Sequence, residues 1–213
     1  MRTIMLLNAK GGCGKSTLAS NLASYFATEG HSVALVDFDP QSSSLEWLAA
    51  RPEDAAEIIG VDGTEPGMRL PRKLDVAIFD VPAGIGGKQL TAMVRRAETI
   101  IIPVLPSPID IRAASHFIRD LLLVGKVSRK QTRLAVVANR VRENTLVYHK
   151  LEKFLKSLKI PFIATLRDTQ NYIRAEERGL GIFEMAPSLV ERDLEQWAPL
   201  TRWLRSKRSR PQD

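Results

Sequence analysis

The sequence predicts an α/β fold: a mainly parallel twisted sheet with helices on both faces. Two observations predict it. Apolar runs of strand length recur along the chain, and segments with helical periodicity separate them. Most of these runs are apolar at consecutive positions, as strands covered on both faces should be. The length of 213 residues suits one well-buried domain and falls short of two ordinary ones. A single domain over 1–206 is therefore expected, followed by a basic, fraying tail over 207–213.

The expected strands are Ile4–Leu7, Val33–Val36, Val76–Phe79, Ile100–Val104 and Leu134–Ala138, with one short strand near Ile58 and Ile59. Expected helices run over Lys15–Thr28, Ser42–Ala50, Gly87–Arg95, Ile111–Leu123, Thr145–Leu158, Gln170–Arg178 and Ser188–Ser206. Pro52, Gly60, Gly63, Pro66, Gly67 and Pro71 punctuate Arg51–Arg72, which reads as the least regular stretch. The N-terminal apolar run stops at Asn8 and reads as a strand, not a signal peptide. No stretch approaches the roughly 20 apolar residues of a membrane span.

Lys and Arg outnumber Asp and Glu by 31 to 24, a formal net charge of +7, which favours association with a polyanion. Cys13 is the one cysteine, so neither an internal disulfide nor a multi-cysteine metal site can form, and a reducing cytoplasm fits.

After the first strand comes Lys10-Gly11-Gly12-Cys13-Gly14-Lys15-Ser16-Thr17, leading directly into a helix with Leu18, Leu22 and Phe26 on one face. Strand, glycine loop and helix in this order make a phosphate cradle. Glycines let backbone N–H groups turn toward phosphate oxygens, and the helix N-terminus adds its positive end. Lys15 supplies a point charge for the β- and γ-phosphates, and Ser16 offers a hydroxyl to Mg²⁺. Cys13 reads as a small filler between the loop glycines. Lys10, ahead of the glycines, is not required by an ordinary phosphate loop.

Lys-Gly-Gly-Cys-Gly-Lys-Ser-Thr resembles the deviant Walker A motif of the ParA/MinD ATPases. The resemblance extends from Ile4 to about Leu204 and is nearest the short ParA type without an N-terminal helix-turn-helix region. It implies a P-loop NTPase fold, and it implies that Lys10 reaches the partner's nucleotide in an ATP-dependent homodimer. Asp37-Phe38-Asp39-Pro40-Gln41 resembles the family's Asp-x-Asp-Pro-Gln switch motif. The resemblance gives Asp39 the role of positioning the attacking water and leaves Asp37 to support Mg²⁺ through its water shell; capping of the next helix is the competing reading for either carboxylate. Asp80, ending the apolar run Val76–Phe79, has the Walker B pattern and should hold a Mg²⁺-bound water. Val81-Pro82-Ala83-Gly84 departs from the family's Asp-x-Pro-Pro. Pro106-Ser107-Pro108 matches its Pro-Ser-Pro loop, and Asn139 with Arg140 its adenine-side motif, with capping of the following helix as the competing reading for Asn139.

The basic residues cluster. Lys126, Arg129, Lys130 and Arg133 surround one helix-to-strand connection, Lys150, Lys153 and Lys156 share a helical face, and Arg202, Arg205, Lys207, Arg208 and Arg210 crowd the C-terminus. By resemblance, a basic surface of the ATP dimer binds DNA non-specifically, and Arg202, Arg205, Lys207 and Arg208 are the first choice for it. Such contact would be directed at the backbone and sensitive to salt. The implied activity is slow ATP hydrolysis, stimulated by a ParB-like or cargo-adaptor protein, in a nucleoid-associated cytoplasmic protein that segregates DNA or positions a protein cargo. The alternative is a MinD-like membrane-cycling regulator, because Leu194, Trp197, Leu200, Trp203 and Leu204 form an apolar helical stripe. The length of that stripe favours core packing instead. A cluster-dependent reductase would need cysteines that the chain lacks, and a ligase should show substrate residues that are not apparent.

Overall fold

The computed structural model describes residues 1–124, 127 and 131–211. These residues form two compact units, each assembled from separate chain segments. The first comprises Met1–Leu6, Lys15–Pro82 and Thr169–Leu194; the second comprises Leu7–Gly14, Ala83–Asp168 and Glu195–Asp213.

In the first unit, β1 (Arg2–Leu6), β2 (Val33–Asp37), β3 (Ile59–Asp62) and β4 (Val76–Asp80) pair in the order β3-β2-β4-β1, every ladder parallel. β1, β2 and β4 are buried at every position, which explains the apolar runs Ile4–Leu6, Val33–Val36 and Val76–Phe79 within them. α1 (Lys15–Thr28) is buried on nearly all sides and keeps Ala19, Ser20, Ala23 and Ser24 where the packing is tight. The same unit holds α2 (Ser43–Ala49), α6 (Asn171–Glu176) and a 3₁₀ turn at Ile182–Glu184.

Arg51–Arg72 carries β3, and its first residue is anchored. The Arg51 guanidinium meets the Glu184 carboxylate at 2.7 and 3.0 Å, both side chains almost fully buried, and lies over the Trp47 ring. Gly179 closes this corner with φ +61°, accepting from Arg51 through its carbonyl. A Cβ at Gly179 would sit 2.4 Å from the Ala50 carbonyl. Gly179→Ala should therefore lower stability by about 3 kcal/mol, the left-handed backbone and the overlap each contributing. Urea unfolding checks this, and a loss near zero would show that the corner yields.

In the second unit, β5 (Thr99–Val104), β6 (Arg133–Val141) and β7 (Phe162–Arg167) pair in that order, again parallel. α3 (Gly87–Val94), α4 (Pro108–Leu123) and α5 (Leu146–Ser157) accompany them. β7 is absent from the sequence expectation; its half-buried residues make no continuous apolar run. α7 (Pro187–Arg205) starts in the first unit and ends in the second. Trp197, Leu200 and Leu204 are completely buried and Trp203 nearly so, in keeping with core packing of this stripe.

The tail departs from the fraying expected of it. Lys207–Ser209 forms a 3₁₀ turn whose Ser209 is buried, its carbonyl accepting from Thr99 Oγ1 at 2.6 Å. Arg133 Nε donates to the Arg210 carbonyl at 3.0 Å. Composition suggested disorder, but two long-range donors satisfy this backbone and keep it packed. Gln212 and Asp213 lie outside the described residues.

Candidate phosphate site

The glycine loop has the backbone that its sequence demands. Gly12 and Gly14 take φ of +72° and +90°, a region costly for residues with a Cβ. Gly14 ends the Leu7–Gly14 segment of the second unit, and Lys15 is the first residue of α1.

Within the first unit, parallel register places Asp37, at the end of β2, opposite Asp80, at the end of β4. Both carboxylates are 1% exposed. Ser44 ties them together: its Oγ donates to Asp80 at 2.7 Å and its backbone N–H donates to Asp37 at 2.9 Å. Asp37 also accepts from the backbone N–H groups of Leu45 and Asp39. The capping reading thus holds for Asp37, which sits at the N-terminus of α2 while fixing the backbone of Asp39. Asp39 is half-buried, and its carboxylate accepts from the Gln41 N–H at 3.0 Å in a tight local turn.

Burial pushes the Asp80 carboxyl up to about 6, and the Asp37 charge adds to the rise. Hydrogen bonds from Ser16 and Ser44 and the charge of Lys15 oppose it. Burial likewise raises Asp37, against its three backbone donors. Lys15, Ser16, Asp37 and Asp80 are thus brought together, with Lys15 itself 8% exposed. Among the described residues no cluster of three or more His, Cys, Asp or Glu could hold a metal unaided. A hydroxyl and two buried carboxylates instead suit Mg²⁺, a hard ion that prefers oxygen ligands.

In the second unit, Cys13 is buried, its thiol donating to the Lys10 carbonyl at 3.4 Å. Its carbonyl accepts from Asn139 Nδ2 at 2.9 Å. Asn139 is reached through a bulge: between Ala138 and Val141 β6 has one residue more than β7, and Arg140 takes φ +51°. Asn139 is buried and Arg140 exposed. Asn139 therefore positions the loop, a role that the sequence did not suggest. Asn8, also overlooked in the sequence, is buried where β1 gives way to the loop; it donates to the Pro103 carbonyl at 2.7 Å and accepts from the Lys10 N–H at 3.4 Å. Lys10 is half-buried.

Gly84, in the segment that departs from the family pattern, has φ +76° and donates its N–H to the Ala9 carbonyl at 3.0 Å. Pro106 is half-buried, bracketed by a bond from the Ser107 N–H to the Leu105 carbonyl. Ser107 caps α4, with Pro108 as its first residue. Arg202, Arg205, Lys207 and Arg208 are all exposed. Lys150, Lys153 and Lys156 are exposed on α5, Lys156 paired with Glu152. Of the remaining basic group, Lys126, Arg129 and Lys130 lie outside the described residues, and Arg133 is half-buried.

Comparison with known proteins agrees with this geometry. The family described as the CobQ/CobB/MinD/ParA nucleotide binding domain matches residues 4–182. The maintenance of carboxysome distribution protein A of Gloeobacter kilaueensis is 30% identical over 192 residues, covering 86% of this chain and 84% of that protein. Its namesake in Halothiobacillus neapolitanus is 26% identical over 190 residues, covering 86% and 87%. The septum site-determining protein MinD of Pyrococcus horikoshii, solved with Mg-ADP, shares the fold with a TM-score of 0.66 at 17% identity, covering 97% of this chain and 99% of that one.

Proposed function

This chain belongs to the CobQ/CobB/MinD/ParA nucleotide-binding family, and we propose that it is an ATP-switched positioning ATPase that dimerises on ATP, binds DNA non-specifically as the dimer and leaves it on partner-stimulated hydrolysis. The carrying observation is the Asp37–Ser44–Asp80 linkage, which hangs the Asp39 turn from the same carboxylates that sit with Lys15 and Ser16. A change at the γ-phosphate end is thereby transmitted to the Asp39–Ser42 backbone, which is what a switch requires.

Lys15 and the loop N–H groups bind the triphosphate, Asp39 orients the attacking water, and Lys10 acts in trans on the partner's nucleotide. Ser16, Asp37 and Asp80 would hold Mg²⁺, which when bound would supply positive charge against the phosphates. Pro106, Asn139 and Arg140 are assigned to the adenine side; Asn139 retains its side-chain oxygen for this while its amide holds the Cys13 carbonyl. Arg202, Arg205, Lys207 and Arg208 carry phosphodiester contact. Two relatives matched over most of their length are named for carboxysome distribution, which supports a protein assembly over a plasmid as the cargo.

Light scattering with Mg²⁺ and a slowly hydrolysed ATP analogue should give a dimer for the parent and a monomer for Lys10→Ala. A low-salt shift assay should retain DNA with the analogue and release it with ADP. A parent chain that stays monomeric, or equal DNA binding in both nucleotides, would contradict the cycle. The membrane-cycling reading gains nothing from α7, whose Trp197, Leu200, Trp203 and Leu204 are buried, and no helix among the described residues is long and apolar enough to cross a membrane.

A further inference from the structure

Phe38 separates Asp37 from Asp39 in the first unit, and the backbone around it is tied to two strands. Its N–H donates to the Asp80 carbonyl at 2.8 Å, and the preceding carbonyl, that of Asp37, accepts from the Gly63 N–H at 2.7 Å. The ring is held by the same two neighbours. It packs edge-on against Phe79 of β4, with centroids 5.3 Å apart and planes at 75°, and it fills the space that a side chain at position 63 would need.

That seat exists because residue 63 is glycine. A Cβ there would sit 2.6 Å from Cδ1 and 2.8 Å from Cε1 and Cγ of Phe38. Since Cγ is among these atoms, the ring could escape only by swinging away at its root. The turn that carries Gly63 is itself closed, with the Asp62 carboxylate accepting from the Thr64 N–H at 2.8 Å and the Thr64 hydroxyl at 2.6 Å. Gly60, three residues earlier on β3, differs: a Cβ there would meet the flexible side-chain ends of Leu48 and Leu45 at 3.0 and 3.1 Å.

Asp39 donates its N–H to the Asp37 carboxylate and accepts at its own carboxylate from the Gln41 N–H, both partners within the same segment. Those bonds travel with the segment, whereas the Phe38 ring fastens it to β4 and to the turn after β3. From this seat we infer that Phe38 is a positioning residue for ATP hydrolysis: its ring, wedged between Gly63 and Phe79, fixes the peptide that aims the Asp39 carboxylate. Such a role rests on the proposed chemistry of Asp39 and adds what holds that carboxylate on line.

The test measures kcat on the full chain with Mg-ATP, and in parallel the affinity for a fluorescent, slowly hydrolysed ATP analogue. Gly63→Ala should lower kcat about ten- to a hundredfold, the cost of misplacing a reacting group by on the order of 1 Å, and leave analogue affinity within about twofold. Phe38→Ala should show the same split, and because it introduces no overlap it decides the matter if Gly63→Ala does not fold. In the Phe38→Ala background, Gly63→Ala should cost nothing further, since its methyl group then meets no ring. Gly60→Ala, on the same strand, should stay within about twofold of the parent in both readouts. Unchanged kcat in Phe38→Ala, additive losses in the double variant, analogue affinity falling in step with kcat, or Gly60→Ala as slow as Gly63→Ala would each overturn the positioning role. A parent that hydrolyses no ATP would overturn the proposed function and this role with it, whereas an active parent with an equally active Phe38→Ala would overturn this role alone.

Discussion

Asp39→Ala should lower ATP turnover by two to four orders of magnitude while leaving nucleotide affinity within a few-fold of the parent. Removing the group that orients or deprotonates an attacking water costs factors of this size. The Asp39 carboxylate makes one local bond, to the Gln41 N–H. Asp37, Ser44 and Asp80 are bonded to one another without the Asp39 side chain, so the site should persist in the variant. With hydrolysis blocked, the ATP dimer should accumulate and DNA retention should lengthen. Single-turnover hydrolysis and DNA dissociation after ATP washout test this together. A variant that has lost ATP binding would make Asp39 a structural residue of the turn; one that hydrolyses normally would remove it from the chemistry.

How much of this was legible in the sequence depends on how local each signal is. The phosphate loop and the strand-terminal carboxylates were legible because their spacing along the chain is their geometry: a glycine loop between strand and helix, and two apolar strands each ending in Asp. Parallel pairing then aligned Asp37 with Asp80. Ser44 was not legible, since its role depends on a partner 36 residues away. Nor was the bond from Asn139 to the Cys13 carbonyl, which spans 126 residues and needs a bulge that no local pattern announces. The tail failed for the same reason. Its basic, polar composition describes the side chains, whereas Thr99 and Arg133 hold its backbone. β7 was overlooked because half-buried strands mix residue types, so its residues lack the continuous run that identified β1, β2, β4 and β5.

Asp80→Asn should trade activity for stability, with a sign that depends on pH. The carboxyl ionises near 3.8 when unfolded and near 6 when folded. Between those values the folded chain keeps a proton that the unfolded chain has released. Stability therefore falls as pH rises through this window, and above about 6 the whole penalty is present. At 1.36 kcal/mol per pH unit, that penalty is about 3 kcal/mol at pH 8 and about 1.5 kcal/mol at pH 5. Asparagine carries no charge and can still accept from the Ser44 hydroxyl, so the variant should be the more stable by about these amounts. Urea unfolding without nucleotide at the two pH values measures the difference. In the proposed function the ionised carboxylate is stabilised by bound Mg²⁺, whose charge offsets the cost of burying the anion. The variant should accordingly gain less stability from Mg-ATP than the parent and hydrolyse it poorly. A stability gain that is the same at both pH values would mean that Asp80 is not the group titrating in this window. Full hydrolysis in the variant would remove Asp80 from the metal site.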